Sequence, residues 1–256
     1  MSERTLLKLG GSVITDKNAE CAINYDQLSH VASAISQLIT GPLVIIHGAG
    51  SCGHPEAKRY RLENGAVAGK TDGIYVTHRA VSTLNEAVVE NLRRQGIPAA
   101  GIHPFHTAVA DKGRLLSFEC RHLEKMLMLK MVPVIHGDVV MDLSRGACIV
   151  SGDQLVRYLA VALGINRVGL ATDVPGVLDG GQVVPVITRN MAPALHIGSS
   201  KHTDVTGGMR GKMNELLDLA QAGISSEIFH VSRIGDFLNR TDHGGTSVRG
   251  EKPNGR

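Results

Sequence analysis

The chain has 256 residues, of which 43% are hydrophobic, 20% are charged and 3% are aromatic, and its net charge at pH 7 is +3. This length can bury the core of one large α/β domain or of two small lobes, and the composition excludes a disordered protein. Because the basic residues are scattered and aromatic residues are few, we expect no nucleic-acid partner.

The cysteines and the apolar runs bear on the compartment. Cys21, Cys52, Cys120 and Cys148 lie far apart and form no CxxC pair, which predicts free thiols in a reducing compartment. The chain starts with the strand-like RTLLKL, so we expect no signal peptide. Apolar runs such as PLVII are about five residues long, far short of the roughly 20 that cross a bilayer. We therefore expect a cytoplasmic protein without a membrane partner.

Short β-branched runs alternate with segments of helical period, the pattern of a mostly parallel sheet covered by helices. The predicted strands are 5–9, 43–47, 132–135, 167–171 and 227–231. Apolar residues at i, i+3, i+4 and i+7 predict buried helix faces over 28–39 and 213–220. We find no internal repeat, and we predict one domain over 1–256 with a soft boundary between two lobes, 1–150 and 151–256.

The first glycine-rich segment, KLGGS at 8–12, lies where the first predicted strand ends. Two glycines remove the Cβ atoms, so consecutive backbone N–H groups can approach phosphate oxygens, and Lys8 adds a mobile positive charge. The segment therefore indicates a phosphate site. A plain strand-to-turn glycine pair with a lysine that extends to solvent is the alternative.

The second segment, GAGSCGH at 48–54, follows the apolar strand LVIIH and contains GxGxxG. A dinucleotide-binding fold would place a pyrophosphate here. Against this alternative, the first strand of the chain lacks the fingerprint and His54-Pro55 follows the last glycine. Moreover Asp72, the acid at the expected distance, precedes Gly73 in a predicted turn rather than ending a second apolar strand.

The third segment, DVTGGMRGK at 204–212, leads into the second predicted helix. A glycine-rich turn at a helix N-terminus offers free N–H groups and the positive end of the helix dipole to an anion. The segment is not a Walker A loop, since GxxxxGK[ST] is absent from the chain. An ordinary loop before a surface helix is the alternative.

The three segments together favour phosphoryl transfer, which needs donor and acceptor held in line while positive groups and N–H dipoles neutralise the developing charge. With SGDQLV at 151–156 and ATDVPGVLD at 171–179, they resemble the amino-acid kinase family, and within it the isopentenyl phosphate kinases. The resemblance covers nearly the whole chain in the family's motif order. It implies a three-layer αβα fold with a mostly parallel sheet of about eight strands. It also implies an N-terminal acceptor lobe, a C-terminal ATP lobe and a homodimer.

The resemblance also implies roles for individual residues. ATP-binding residues would be Lys8, Leu9, Gly10, Gly11, Ser12, Gly50, Asp173, Gly207, Gly208 and Lys212. The acceptor would be bound by Ala49, Gly50, His54 and Gly152. The catalytic set would be Lys8, Lys17, His54, Asp153 and Lys212, in which Asp153 holds the lysines by ion pairs. Mg²⁺ would be held mainly through the phosphates, without a protein metal site.

His54 separates the subfamilies, because a histidine at the end of this loop holds the acceptor's phosphate or phosphonate in isopentenyl phosphate and fosfomycin-resistance kinases. His47, in the apolar strand, is interpreted as structural. Two departures from the family pattern are present. The loop at 48–54 reads GAGSCGH, so Ala49 and Cys52 replace the Gly and the Phe of the common family sequence GGGSFGH. Tyr75 replaces the arginine of the GxRVT motif of acetylglutamate kinases, and loss of that arginine disfavours a carboxylate-bearing acceptor.

The resemblance thus implies ATP-dependent phosphorylation of isopentenyl phosphate to isopentenyl diphosphate. The alternatives are a kinase of the same fold acting on fosfomycin-like phosphonates or UMP, and a non-catalytic nucleotide-binding sensor. An intact set of three lysines and one aspartate disfavours the sensor. The acceptor's tail would lie between 74–76 and 149–150, two apolar stretches beside the phosphate site.

Overall fold

The computed structural model describes residues 3–16, 19, 21–69, 71–195 and 208–251. The strands are β1 Thr5–Leu9, β2 Thr15–Asp16, β3 Ala22–Ile23, β4 Leu43–His47, β5 Ala99–Ile102, β6 Ala108–Asp111, β7 Arg114–Phe118, β8 Val132–His136, β9 Asp138–Asp142, β10 Gly146–Val150, β11 Arg167–Thr172, β12 Leu178–Asp179, β13 Gln182–Val183, β14 Val186–Ile187, β15 Ser226–His230 and β16 Thr246–Val248. The α-helices are α1 Gly11–Ile14, α2 Tyr25–Leu38, α3 Gly50–Arg59, α4 Asp72–Arg94, α5 Pro104–Thr107, α6 Arg121–Met128, α7 Gly152–Ala162, α8 Gly208–Gln221 and α9 Ile234–Asn239.

The central sheet has eight strands in the order β14-β16-β15-β11-β1-β4-β8-β5, and it is parallel except where β15 meets β16. Its central strands are apolar on both sides because helices cover both faces. Leu6 packs on one face with α6, α7 and α8, whereas the adjacent Leu7 packs on the other with α2, α4 and α9. The predicted three-layer αβα fold is therefore confirmed.

A second sheet, in the order β10-β9-β6-β7, lies beside the carboxyl end of β8. It is antiparallel except for a short parallel contact between β6 and β9. β9 begins two residues after β8 ends, so this sheet is joined directly to the edge where the central strands finish.

All five predicted strands lie in the central sheet, as β1, β4, β8, β11 and β15, with ends that differ by at most one residue. The two predicted helix faces are buried on α2 and α8. One local prediction was wrong: Asp72 does not lie in a turn but begins α4. Apolar residues from Ile74 onward recur with helical spacing, and burial of that face outweighs the low helix propensity of Gly73.

The prediction of four free thiols was wrong for two of them, because Cys21 and Cys52 form a disulfide with Cα atoms 4.0 Å apart. The hairpin of β2 and β3 folds back onto the turn after β4, where the Cys21 N–H donates to the carbonyl of Ser51 at 3.2 Å. Cys120 and Cys148 are free. The free thiols expected at Cys21 and Cys52 therefore no longer support a reducing compartment. No helix in the described ranges has the length and hydropathy of a membrane span.

The disulfide should stabilise the fold measurably. It closes a loop across a separation of 31 residues, for which the chain-entropy model gives about 3–4 kcal/mol. We expect Cys21→Ser to lower the free energy of unfolding by up to that amount in urea titrations of the oxidised protein. Cys120→Ser, which removes a free thiol, should keep the wild-type dependence on dithiothreitol. An unfolding midpoint of the wild type that is the same with and without dithiothreitol would contradict the expectation.

Candidate active site

Four neighbouring parallel strands, β11, β1, β4 and β8, end at the same edge of the central sheet. The glycines that follow β1, β4 and β8 each donate their N–H to the adjacent strand, Gly10 at 2.9 Å, Gly48 at 3.0 Å and Gly137 at 3.0 Å. The carboxyl edge of a parallel sheet is the usual ligand site of α/β proteins. The candidate site therefore begins as a row of strand ends tied together by backbone hydrogen bonds.

The first two glycine-rich segments are in direct contact. A Cβ on Gly11 would lie 2.6 Å from the Cα of Gly50, and one on Gly48 would lie 2.7 Å from the backbone nitrogen of Gly11. Gly50 also has a φ of +53°, which disfavours any side chain. Thr15 joins the same two turns, since its hydroxyl donates to the carbonyl of Gly11 and accepts from the N–H of Ser51. These glycines are therefore needed for the turns to pack.

α7 adds a third turn to the same surface. A Cβ on Gly137 would lie 3.2 Å from the backbone nitrogen of Gly152, and one on Gly152 would lie 3.1 Å from the Cε of Lys8. The preceding residue, Ser151, caps α7 by accepting from the N–H of Gln154 at 3.2 Å. α1, α3 and α7 thus all begin beside the strand ends. Their first-turn N–H groups are donors of the kind that binds phosphate.

One carboxylate and two ammonium groups meet above these turns. Lys8 Nζ lies 2.5 Å from Asp153 Oδ1, and Lys212 Nζ lies 3.2 Å from the same oxygen. Lys8 is only 5% exposed and Asp153 only 9% exposed. β1, α7 and α8 each contribute one of the three groups. The cluster carries one more positive than negative charge, an arrangement suited to an anion.

Burial and charge shift the pKa values in this cluster. Burial lowers the pKa of Lys8 to about 8, although the Asp153 carboxylate opposes the shift. Burial alone would raise the pKa of Asp153, but Lys212 and Lys8 outweigh it and lower that pKa to about 2. Asp153 is therefore ionised at neutral pH and holds both lysines in place.

Other predicted site residues fall into three groups within the described part of the chain. Ala49, Gly50 and His54 belong to the turn and first part of α3, where His54 is half-buried. Asp173 is exposed directly after β11, on the same edge of the sheet. Gly208 begins α8. Lys17 and Gly207 lie outside the described residues.

The two stretches expected to hold the acceptor's tail meet only in part. Ile74 and Ile149 belong to one small apolar cluster that also includes Phe105. Tyr75 is 62% exposed, with Arg79 over its ring, and Val150 is buried in the main core instead. A helix directs successive residues to different faces, so 74–76 could not all face one pocket.

Sequence reasoning missed a histidine-rich cluster beside this apolar patch. His78 Nδ1 lies 3.0 Å from Asp138 Oδ2, and the His78 ring stacks on Phe105. His103 Nδ1 and His136 Nε2 lie within hydrogen-bond distance, at 2.8 Å. The members of the His78 and Asp138 pair are 60 residues apart, and no spacing indicates that they meet. The one local feature that could have indicated a site here is the position of Asp138, two residues after the end of β8 and directly after Gly137.

His47 agrees with its structural interpretation. It is fully buried in β4, and its Nε2 lies 3.0 Å from the side-chain amide of Asn85. Burial lowers its pKa to about 4, so the ring is neutral at physiological pH. A neutral ring inside the sheet cannot supply charge to a phosphate.

Within the residues that the structure describes, no group of three or more His, Cys, Asp or Glu side chains could hold a metal ion. Asp153, the carboxylate at the centre of the cluster, already contacts two ammonium groups.

Comparison with known proteins identifies the family of this chain. Residues 3–230 match the amino acid kinase family. The chain belongs to the amino acid kinase family. Among members of this family, an isopentenyl phosphate kinase of Haloferax volcanii is 39% identical over 248 residues, which cover 96% of this chain and 98% of that protein. One from Methanothermobacter thermautotrophicus is 37% identical over 98% of this chain and 99% of its own length.

A solved structure extends the similarity to the whole fold of this amino acid kinase. An isopentenyl phosphate kinase studied by X-ray crystallography superposes with a TM-score of 0.85 at 34% identity, covering 96% of this chain and 100% of its own. Its fold therefore matches the one described above over nearly the whole chain.

Asp153 should make the stability of this amino acid kinase sensitive to acid. Because its pKa is lowered to about 2 in the folded protein, its contribution is complete above the unfolded value and is lost as the pH falls from about 4 to about 2. The size expected from this shift is about 2 kcal/mol. Urea unfolding at several pH values should show a shallower loss for Asp153→Asn than for the wild type.

The matched control is Asp26→Asn, which neutralises an exposed carboxylate on α2. That variant should keep the wild-type slope of stability against pH. If Asp153→Asn and Asp26→Asn gave the same slope, the ion pairs of Asp153 would not stabilise the fold.

Proposed function

We propose that this amino acid kinase transfers the γ-phosphoryl group of ATP to isopentenyl phosphate, giving isopentenyl diphosphate and ADP. The observation that carries the proposal is the buried cluster of Lys8, Asp153 and Lys212 above glycine turns at the sheet edge. It supports phosphoryl transfer, and the similarity over the whole chain to isopentenyl phosphate kinases supports the acceptor.

The chemistry requires positioning and charge neutralisation rather than a base. An oxygen of the acceptor phosphate attacks the γ-phosphorus, and the bond from that phosphorus to the β,γ-bridging oxygen breaks. The acceptor oxygen is already an anion, so no proton has to be removed. Negative charge that develops on the transferred oxygens and on ADP would be stabilised by Lys8 and Lys212, which Asp153 holds in fixed positions.

The nucleotide side of the site is proposed from this geometry together with similarity to the family. Lys8 with the turn at 9–12 would contact the ATP phosphates, and Lys212 would reach the β- and γ-phosphates. Asp173, directly after β11, and Gly208, at the start of α8, would contribute to nucleotide binding, and similarity to the family adds Gly207. Lys17 would be a further lysine near the transferred group. Mg²⁺ bound to the phosphates would neutralise their charge, a contribution that adds to that of the lysines.

The acceptor phosphate would be held by the turn after β4. The N–H groups of Ala49 and Gly50, together with Gly152 at the start of α7, would donate to its oxygens. His54, half-buried on α3, would add a side-chain donor. This assignment requires His54 to carry a proton on the nitrogen that faces the phosphate.

We further propose a homodimer that works in the cytoplasm. In the described part of the central sheet, β5 pairs on one side only, with β8. A strand edge of this kind can be covered by a second subunit. Light scattering of the purified protein would measure the mass in solution, and a monomer at all concentrations would contradict the dimer.

The function is tested by coupling ADP release to a spectrophotometric assay with a panel of acceptors. Isopentenyl phosphate should support turnover well above dimethylallyl phosphate, fosfomycin, UMP, acetylglutamate and buffer alone. Turnover led by fosfomycin or UMP would favour the other kinases of this fold. Binding of ATP without turnover of any acceptor would favour a sensor.

Replacing the predicted phosphate-binding histidine should affect catalysis without unfolding the protein. A charged hydrogen bond contributes about 1.5–3 kcal/mol, so His54→Ala should reduce kcat/KM for isopentenyl phosphate by about tenfold to a hundredfold, while ATP affinity stays within about twofold. His30→Ala, which truncates an exposed histidine on α2, should behave as the wild type. A kcat/KM for His54→Ala close to the wild-type value would exclude the proposed role.

The apolar cluster of Ile74, Phe105 and Ile149 gives a test of chain-length preference. Truncation of Ile149 to alanine removes methylene and methyl groups that a longer prenyl tail could replace, at about 0.8 kcal/mol for each CH₂ buried. The ratio of kcat/KM for geranyl phosphate to that for isopentenyl phosphate should therefore rise by about tenfold. Val161→Ala, at an exposed site on α7, is the control. An unchanged ratio would place the tail elsewhere.

A further inference from the structure

α7 and α8 carry two of the three charged groups of the site, and charged residues continue along the line where these helices meet. Asp153 on α7 faces Lys212 on α8 at 3.2 Å. One turn further along both helices, Arg157 Nε lies 3.6 Å from Glu215 Oε2. The same nitrogen lies 3.8 Å from Oδ2 of Asp218, which is a further turn along α8. At both levels the two helices present opposite charges to each other, Asp153 to Lys212 and Arg157 to the carboxylates of α8.

Glu215 has a second and closer partner. Arg114 on β7 donates to both of its carboxylate oxygens, Nη1 to Oε1 at 2.5 Å and Nη2 to Oε2 at 3.0 Å. Such a two-point contact fixes orientation as well as distance. Glu215 is only 6% exposed, although most residues of its type are exposed. A buried carboxylate therefore connects α8 to both α7 and the second sheet.

β7, the strand that carries Arg114, also contacts α7. The backbone N–H of Leu115, next to Arg114, donates to the side chain of Gln154 at 2.9 Å. Gln154 follows Asp153 directly in the chain. β7 therefore contacts α7 through Gln154, the neighbour of Asp153, and α8 through Glu215, three positions after Lys212.

The charges select one axial register of α8. The apolar side chains of α8, including Met213 and Leu216, pack into the main core. Because the hydrophobic effect is non-directional, the charged pairs add a constraint on register that apolar burial does not supply. A slip of one turn, about 5.4 Å, would bring Lys212 opposite Arg157 in one direction. In the other direction it would bring Glu215 opposite Asp153. Both slips place like charges together, and both remove Glu215 from Arg114.

We propose that Glu215 is a positioning residue, which fixes the register of α8 through Arg114 and Arg157 and thereby holds Lys212 beside Asp153. The proposal rests on the proposed kinase function, in which Lys212 contacts the nucleotide phosphates. Setting of register is the best-attested use of buried ionic groups. Glu215 itself touches neither Lys8 nor Asp153 through any side-chain hydrogen bond described in the structure, and it acts through Lys212.

The first experiment is Glu215→Gln, which keeps the size of the side chain and removes its charge. We expect kcat with ATP and isopentenyl phosphate to fall about tenfold, less than the 10²-fold or greater loss typical of a direct electrostatic donor. KM for isopentenyl phosphate should stay within about twofold, because the acceptor turn is unchanged. Asp218→Asn, the same charge change one turn along α8 at a more exposed site, should lower kcat by no more than about twofold.

The second experiment separates positioning from general structural support. Lys212→Met is measured alone and together with Glu215→Gln. If Glu215 acts through Lys212, the double variant should have the kcat of Lys212→Met within about twofold. Additive losses in the double variant, or equal losses in Glu215→Gln and Asp218→Asn, would overturn the proposal. Replacement of Arg114 by Met should reproduce the loss of Glu215→Gln and add little to it.

Nucleotide binding provides a readout that does not depend on the acceptor. The affinity for the non-hydrolysable analogue AMP-PNP, measured by calorimetry with Mg²⁺, should fall in Glu215→Gln and in Lys212→Met, and the two effects should not add. If the wild type turned over none of the acceptors, the proposed function would fail while this cycle still tested the positioning role. An AMP-PNP affinity unchanged by Glu215→Gln but lowered by Lys212→Met would overturn it.

Discussion

The interaction on which the site depends is the contact of one buried carboxylate with two ammonium groups. Asp153 brings together Lys8 from the first strand and Lys212 from the eighth helix, residues that would otherwise repel each other. A buried charge is tolerated only when it is paired. Because two positive charges surround one negative charge, the cluster is incompletely balanced, and an anion such as a phosphate completes it.

The position of this cluster follows from the glycine turns beneath it. Lys8 approaches Gly152 closely because that residue has no side chain, and the turns at Gly11 and Gly50 touch for the same reason. The strand ends therefore converge more tightly than side chains would permit. Phosphate groups could then approach backbone N–H groups and lysines at the same time.

Much of the fold and part of the site could be predicted from the chain alone. The strands and the buried faces of α2 and α8 follow local periodicity, which depends only on neighbouring residues. The strand-end position of Lys8 and of the first two glycine turns was predicted for the same reason. The start of α4 at Asp72 was not, because the glycine that follows suggested a turn and only tertiary packing favoured the helix.

By itself, the sequence determined the α/β class, the glycine turns at strand ends and the charged residues available to a phosphate site, since all of these are local features. The tertiary structure alone decided which distant side chains meet. The disulfide joins cysteines 31 residues apart, the His78 and Asp138 pair spans 60, and the Arg114 and Glu215 pair spans 101. Such contacts depend on how strands and helices are ordered in space, and no residue spacing along the chain encodes that order.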